Sequence, residues 1–323
     1  MTTRRFPARQ AAYIRLCNQA GKLLAAVGLE GPRAKPERLM RLARWRTGLE
    51  DFGDETFRSG LEQLTASLND EARLSQVGRL VVFFNLVDLL SVRLRLIDYR
   101  ARRPEVAQQV ISSPLFITGL PRTGTTILHE LIAQDPDFRS PATWEVTRAV
   151  PPAVPAEYSF DPRIASVDRL LALVEKLSPG FQPIHALGAQ LPQECVYLLS
   201  SSFFSEQFAY MYSVPAYRSW LLEQGMGMAY RWHGAFLQHM QVDFPDLTWV
   251  LKTPAHLPHL DALLAQYPDA TIVWTHRQPM DAVASFASLA TTLRGGFSDA
   301  VDPRVVGEQE LQYFSEVVER GMR

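Results

Sequence analysis

Cysteine is nearly absent from this sequence: only Cys17 and Cys195 occur among 323 residues. Two cysteines without a C-x-x-C spacing exclude a disulfide framework and a cysteine-based metal or redox site. Such scarcity is typical of proteins in a reducing compartment, so a cytoplasmic location is expected.

An excess of charge of one sign is also missing. The chain has 33 Lys and Arg against 34 Asp and Glu, a formal net charge of -1, and no block of basic residues long enough to follow a phosphate backbone. A polymeric nucleic acid is therefore not an expected partner.

Long hydrophobic runs do not occur either. The most apolar stretch, residues 80–90, is interrupted by Asn85 and Asp88 and is too short to span a bilayer. The N-terminus is basic but has no apolar core of the kind found in a secretory signal peptide. No transmembrane segment is predicted.

The residues that are present indicate a globular protein, with 47% hydrophobic and 21% charged residues. Apolar residues recur at three- and four-residue spacings from residue 8 to about residue 110, as in Leu61, Leu64 and Leu68. Residues 1–110 are therefore predicted to form an all-helical N-terminal region.

The pattern changes to α/β after Ser113. Short apolar runs at residues 115–117, 248–251 and 271–275 are typical of buried strands, with helical patterns between and after them. This alternation predicts a parallel sheet with flanking helices over residues 111–323. The proline-rich residues 141–192 are predicted to form a long loop with one helix near residues 167–176.

The segment GLPRTGTT, residues 119–126, lies between the first strand and the next helix. It matches the phosphate-loop template G-x-x-x-x-G-K-[ST] except at the lysine position, which is Thr125. The N–H groups of such a loop bind anions, and Arg122 offers a positive charge in place of the lysine. The alternative is an ordinary strand-to-helix turn with Arg122 in solvent.

A second cationic segment follows the last strand. Arg277 ends that strand, and Ser285 lies about two turns into a helix predicted for residues 280–289. This helix starts at the same sheet edge as the first loop, so the two side chains can converge on a second phosphate.

Residues 121–126 resemble the 5′-phosphosulfate loop of sulfotransferases that use 3′-phosphoadenosine 5′-phosphosulfate (PAPS). The resemblance implies a P-loop-like fold in which the 5′-phosphosulfate is held by the loop, that is by Arg122, Thr123, Gly124, Thr125 and Thr126. The segment from Arg277 to Ser285 is similar to the family's 3′-phosphate site.

Candidates for the chemistry come from two further segments. Lys252 ends the second strand and is followed by His256, and this segment resembles the Lys-Thr-His-Leu-Pro of cytosolic sulfotransferases with Pro254 and Ala255 inserted. The resemblance places Lys252 on the sulfate and makes His256 a candidate base. Glu194 is the rival base, because Pro192-Gln193-Glu194 resembles bacterial sulfotransferases that use a glutamate, and Pro192 is predicted to open a helix.

The sequence thus predicts an enzyme that moves a sulfuryl group from PAPS to a hydroxyl or similar acceptor of a small molecule, without a metal. A phenol, sterol, sugar, lipid or peptide hydroxyl would fit equally. The alternative is a nucleotide-binding P-loop protein, either kinase-like or a non-catalytic module. Because helical spacing continues to Arg323, the domain is expected to be C-terminally incomplete, with its donor site open on one side.

Overall fold

The computed structural model describes residues 16–21, 31–177, 186–244 and 246–322. Its N-terminal part is helical, as the apolar spacing predicts, although residues 1–15 and 22–30 lie outside the described residues. The helices are α1 (Pro36–Thr47), α2 (Phe57–Asp70) and α3 (Gln76–Arg102), followed by a 3-10 helix (Pro104–Gln108). The hydroxyl of Ser75 caps α3 by accepting a hydrogen bond from the Gly78 N–H.

A parallel four-stranded sheet forms the centre of the rest of the chain. The strands are β1 (Leu115–Gly119), β2 (Phe138–Arg139), β3 (Thr248–Lys252) and β4 (Thr271–Thr275), in the order β2-β3-β1-β4. Phe116 of β1 pairs with Leu251 of β3 and with Ile272 of β4. All strands are parallel, so their carboxyl ends share one edge, where parallel sheets bind ligands.

Helices fill the connections between the strands. They are α4 (Thr125–Ile132), α5 (Thr143–Thr147), α6 (Pro162–Leu177), α7 (Cys195–Ser200), α8 (Gln207–Met211), α9 (Pro215–Glu223), α10 (Gly227–Gln241), α11 (Leu260–Gln266), α12 (Pro279–Phe297) and α13 (Pro303–Gly321). Two more 3-10 helices cover Pro155–Phe160 and Pro254–His259. None of the described helices combines the length and the apolar character needed to cross a bilayer.

The predicted parallel sheet is confirmed, and its main strands lie where the apolar runs placed them. The helix expected at residues 280–289 is longer and extends to Phe297, and the helix expected near residues 167–176 lies within α6. The proline-rich segment also contains the short α5, while its residues 178–185 lie outside the described residues. The two-residue strand β2 was not predicted.

One hydrophobic core joins the N-terminal helices to the sheet. Leu61 and Leu90 from the helices are fully buried in the same cluster as Phe116 of β1 and Trp249 of β3. A second cluster lies between β4, α12 and α13 and includes Phe286 and Phe314. The sheet edge described below is therefore supported on both sides by close-packed helices.

Candidate active site

The loop between β1 and α4 turns sharply because of two glycines. A Cβ atom on Gly119, whose φ is 135°, would lie 2.4 Å from the Thr275 carbonyl oxygen, so β1 and β4 approach too closely for any other residue. Gly124 precedes the first turn of α4 with a φ of 93°, and a Cβ there would meet nothing within 4 Å. Open space therefore lies beside the N-terminus of α4.

Side chains of the loop fix its shape. Thr123 Oγ1 donates to the Leu120 carbonyl at 2.7 Å and lies 2.7 Å from Thr275 Oγ1 at the end of β4. Arg122 has a φ of 69°, in the left-handed region that L-residues seldom adopt. Residues in such conformations concentrate at binding sites, where the surrounding structure holds them.

Lys252 lies at the end of β3, as predicted, and its side chain is 2% exposed. Its ammonium donates to Glu194 Oε1 at 2.5 Å and to Thr126 Oγ1 at 3.2 Å. These contacts join the first turn of α4, the end of β3 and the segment before α7. A buried charge needs such partners, because desolvation would otherwise favour the neutral amine.

Glu194 occupies the N-cap position of α7, which begins at Cys195. The prediction that Pro192 opens this helix is wrong: Pro192 forms an isolated bridge with Ala142 instead. The side chain of Glu194 makes no capping hydrogen bond and reaches the end of β3, where its Oε2 accepts from Thr253 Oγ1 at 3.3 Å. The carboxylate is 17% exposed, so it remains accessible from solvent.

The two predicted phosphate segments meet each other. Arg122 Nε donates to Ser285 Oγ at 3.2 Å, and Arg277 Nη1 donates to the Arg122 carbonyl oxygen at 3.2 Å. Ser285 lies in the second turn of α12, and Arg277 is exposed just after β4. Two guanidinium groups and a hydroxyl thus cluster beside the loop.

His256 lies elsewhere, in the core behind the sheet. Its side chain is fully buried, its Nδ1 is hydrogen-bonded to the Tyr230 hydroxyl at 2.8 Å, and its ring packs edge-on against Phe116. Burial lowers the pKa of His256 well below its usual value. Among the two candidate bases, only Glu194 is placed beside Lys252.

Three site residues were missed by the sequence interpretation. Thr253 contacts the Glu194 carboxylate, and Thr275 contacts the loop. His129 of α4 is buried, with its Nε2 3.1 Å from the Val250 carbonyl and 2.6 Å from Ser140 Oγ, and burial beside Lys252 lowers its pKa to about 4. Thr253 and Thr275 could have been found from their position, since both come at the end of a predicted strand.

The aromatic residues after Glu194 are mostly core. Phe203, Phe204, Phe208 and Tyr212 are buried in the cluster shared with the N-terminal helices. Tyr197 and Tyr210 retain some exposed surface; desolvation of the Tyr197 hydroxyl, together with the nearby Glu194 charge, raises the pKa of Tyr197 to about 12. Within the described ranges, no group of three His, Cys, Asp or Glu is arranged to hold a metal ion.

The arrangement is that of an anion site with a carboxylate at its edge. Lys252, Arg122 and Arg277 bring positive charge to one sheet edge, and the first-turn N–H groups of α4 lack helical acceptors. Glu194 is the one described carboxylate that contacts Lys252. A bound anion and a proton acceptor can therefore lie side by side here.

Comparisons with known proteins identify the family and the fold of this chain. The sequence model of the sulfotransferase family matches residues 114–323. The crystal structure of sulfotransferase STF1 from Mycobacterium tuberculosis is 32% identical with a TM-score of 0.82, over 90% of this chain and 80% of that one. Sulfotransferase STF9 from Mycobacterium avium is 28% identical with a TM-score of 0.83, over 90% and 75%. No curated protein sequence gives a significant match.

Proposed function

Because the chain belongs to the sulfotransferase family, we propose that it transfers a sulfuryl group from PAPS to a hydroxyl or similar acceptor of a small molecule. The observation that carries this proposal is the Lys252–Glu194 pair, which lies at the end of β3 and contacts Thr126 in the first turn of α4. A cation for the sulfate and a base for the acceptor are thereby adjacent.

The loop residues fit the 5′-phosphosulfate of PAPS. Open space beside Gly124 leaves room for an anion at the N-terminus of α4, where the helix dipole and free N–H groups favour negative charge. Arg122, Thr125 and Thr126 would hold this group, while Thr123 keeps the loop in shape through its bonds to Leu120 and Thr275.

Arg277 and Ser285 are proposed to hold the 3′-phosphate. Each of them makes a direct hydrogen bond to Arg122. A guanidinium pairs well with phosphate oxygens through its forked N–H groups, and a serine hydroxyl adds a neutral donor. This pair would distinguish PAPS from nucleotides without a 3′-phosphate.

Lys252 and Glu194 are proposed to carry the transfer. Bound PAPS supplies the sulfuryl group, whose bond to the phosphate oxygen breaks as a bond to the acceptor oxygen forms. Glu194 accepts the proton of the acceptor hydroxyl, which makes its oxygen more nucleophilic. The Lys252 ammonium has three donors, so it can hold Thr126, Glu194 and one sulfate oxygen together and stabilise developing negative charge.

Glu194 is assigned as the base rather than His256 because of their surroundings. Glu194 contacts Lys252 and is partly exposed to solvent, whereas His256 is sealed in the core against Tyr230 and Phe116. A general base must lie within hydrogen-bond reach of the proton that it abstracts. His256 is better explained as a neutral packing residue.

The proposal is tested by two measurements on the same preparation. Incubation with labelled PAPS and a mixed library of phenols, sterols, sugars and lipids should transfer label to at least one acceptor. Calorimetric titration should show binding of PAPS without Mg²⁺. Mg²⁺-dependent binding of ATP or GTP would favour the kinase-like alternative, and PAPS binding without any transfer would favour a non-catalytic module.

A further inference from the structure

A groove on the N-terminal helices is lined by both basic and large apolar side chains. Its residues precede those of the candidate active site in the sequence. It has a volume of about 810 Å³ and lies between α1 and α3. Its walls include Arg38, Arg41 and Trp45 from α1 and Leu80, Phe83 and Phe84 from α3. These residues recur at three- and four-residue spacings, so each helix directs one face toward the groove.

The groove exposes large apolar side chains that a water-soluble surface normally buries. Trp45 is 80% exposed, Phe84 53% and Leu80 45%. A single exposed apolar residue is ordinary, but a cluster of them marks a contact surface. Something apolar is therefore expected to cover Trp45, Phe84 and Leu80 when the protein works.

Positive charge is concentrated around the same groove. Residues 31–46 contain six Arg and Lys and one acidic residue, although the whole chain has nearly equal numbers of each sign. Arg44 pairs with Glu50 and Arg46 with Asp88, while Arg38 lies over the Phe83 ring at 5.3 Å. No acidic side chain from the described part of the chain lines the groove.

The charge decides between possible occupants. A second copy of the chain would bring the same basic residues against the groove, and like charges repel. The N-terminal residues 1–15 contain four arginines and no acidic residue, so they are not complementary either. An anionic lipid surface offers both negative headgroups for the arginines and an apolar layer for the aromatic residues.

We propose that this groove, which we call the Trp45 groove, docks the protein onto an anionic lipid bilayer. Arg38 and Arg41 contact the lipid headgroups, and Trp45, Phe84 and Leu80 enter the boundary between headgroups and acyl chains. Tryptophan suits this depth because its ring is largely apolar and its N–H is polar. The docking is reversible and peripheral, because the apolar contact involves few side chains.

Vesicle flotation of the full chain tests the proposal. The protein should float with vesicles that contain phosphatidylglycerol, and not with vesicles of phosphatidylcholine alone, and added salt should release it. A basic residue near an anionic surface contributes a factor of about five to partitioning. Replacing both Arg38→Gln and Arg41→Gln should therefore lower the partition constant about 25-fold, and Trp45→Ser should also lower it.

Matched variants outside the groove separate a local effect from a change in net charge. Arg169→Gln with Arg304→Gln removes two exposed basic residues, and Phe160→Ser removes an aromatic side chain that is 71% exposed. These variants should float as well as the original protein. Each variant should also keep its unfolding midpoint in urea, since all the changed side chains are on the surface.

Three outcomes would overturn the proposal. One is no flotation with anionic vesicles, and another is equal loss in the groove and control variants. The third is a dimer in light scattering that Trp45→Ser converts to a monomer while no vesicle binding is seen. That last result would assign the Trp45 groove to contact between two copies of the chain.

Discussion

Among single residues, Lys252 constrains the site most, because its side chain is only 2% exposed and its amino group must find partners inside the protein. Removing one partner of a buried ion pair typically costs about 3–5 kcal/mol, because the other charge is left uncompensated. Glu194 and Thr126 both accept hydrogen bonds from Lys252 Nζ at the edge of the sheet. In the proposed mechanism the Glu194 carboxylate therefore both pairs with Lys252 and accepts the proton of the acceptor hydroxyl.

Glu194→Gln keeps the shape and a hydrogen-bonding oxygen toward Lys252, but it removes the compensating charge and is a far weaker base, so some loss of stability is expected beside the loss of turnover. We expect turnover at saturating PAPS to fall about 100- to 10,000-fold, the usual cost of losing a general base. PAPS binding should change little. Steady-state kinetics and calorimetry measure the two effects.

Two variants serve as controls for that experiment. Glu157→Gln changes an exposed glutamate of the 3-10 helix Pro155–Phe160 and should keep normal turnover. His256→Ala should mainly lower stability, since it leaves a cavity beside Phe116. Normal turnover in Glu194→Gln, with a large loss in a folded His256→Ala protein, would reverse the choice of base.

Arg277 and Ser285 make a prediction about selectivity. If they hold the 3′-phosphate, Arg277→Ala and Ser285→Ala should each reduce the preference for PAPS over adenosine 5′-phosphosulfate, which lacks that phosphate. Affinity for adenosine 5′-phosphosulfate itself should stay nearly constant. Competition binding with both nucleotides measures the ratio, and a ratio that is unchanged in both variants would make these residues structural.

At the scale of elements, the close approach of β1 and β4 shapes the loop. Gly119 has a φ of 135°, and its missing side chain lets the Thr275 carbonyl come within 2.4 Å of the position that a Cβ would occupy. Thr275 in turn contacts Thr123 of the loop. The end of β4 therefore sets the position of the loop relative to α12.

Gly119→Ala should destabilise the protein by more than about 1–3 kcal/mol, the usual cost of a strained backbone, because a steric clash adds to the strain. Gly124→Ala introduces the strain without the clash, since nothing lies within 4 Å of its Cβ position. Gly307→Ala, on the open surface of α13, should stabilise by up to about 1 kcal/mol. Urea unfolding that ranks the three differently would contradict this account of the loop.

An element could be predicted from the sequence when its own residues carried a clear hydrophobic pattern. The strands β1 and β3 were predictable because both faces are buried, which produces short continuous apolar runs. The strand β4 has a similar apolar run, although it lies at the edge of the sheet and is only partly buried. The strand β2 has only two residues, Phe138 and Arg139, and no such run. Glu194 looked like a first-turn residue because proline often opens helices, yet Pro192 pairs with Ala142 through a contact that no local signal reveals.

The contacts within the site could be anticipated only in part. Parallel strands bring Gly119, Lys252 and Thr275 to one edge, so convergence followed from the strand pattern alone. The direct contact between Arg122 and Ser285 did not, because it depends on how α12 packs. His256 was a plausible base in sequence, and only its tertiary surroundings place it in the core.

At the scale of the whole molecule, buried histidines dominate the expected response to acid. Burial lowers the pKa of His129, His239 and His259 to about 4, of His233 to about 3, and of His256 well below its usual value. Unfolded histidines bind a proton below a pH of about 6.5. Between these limits the unfolded state holds more protons, so stability falls as the pH decreases.

This loss should be steep between about pH 6.5 and pH 4, because each neutral buried histidine contributes about 1.4 kcal/mol per pH unit. His233→Gln removes one such group and keeps a polar partner near Tyr267, which His233 contacts at 2.8 Å. The free energy of unfolding in that variant should depend less steeply on pH by about 1.4 kcal/mol per unit.

Calorimetric titration of Arg122→Ala shows whether the loop between β1 and α4 holds the 5′-phosphosulfate of PAPS. Losing a charge-assisted contact should weaken PAPS binding by about 1.5–3 kcal/mol, roughly a 10- to 150-fold rise in Kd. Arg304→Ala, which removes an exposed arginine at the start of α13, should bind PAPS like the original protein. Unchanged PAPS affinity in a folded Arg122→Ala protein would mean that Arg122 and its loop do not hold the 5′-phosphosulfate.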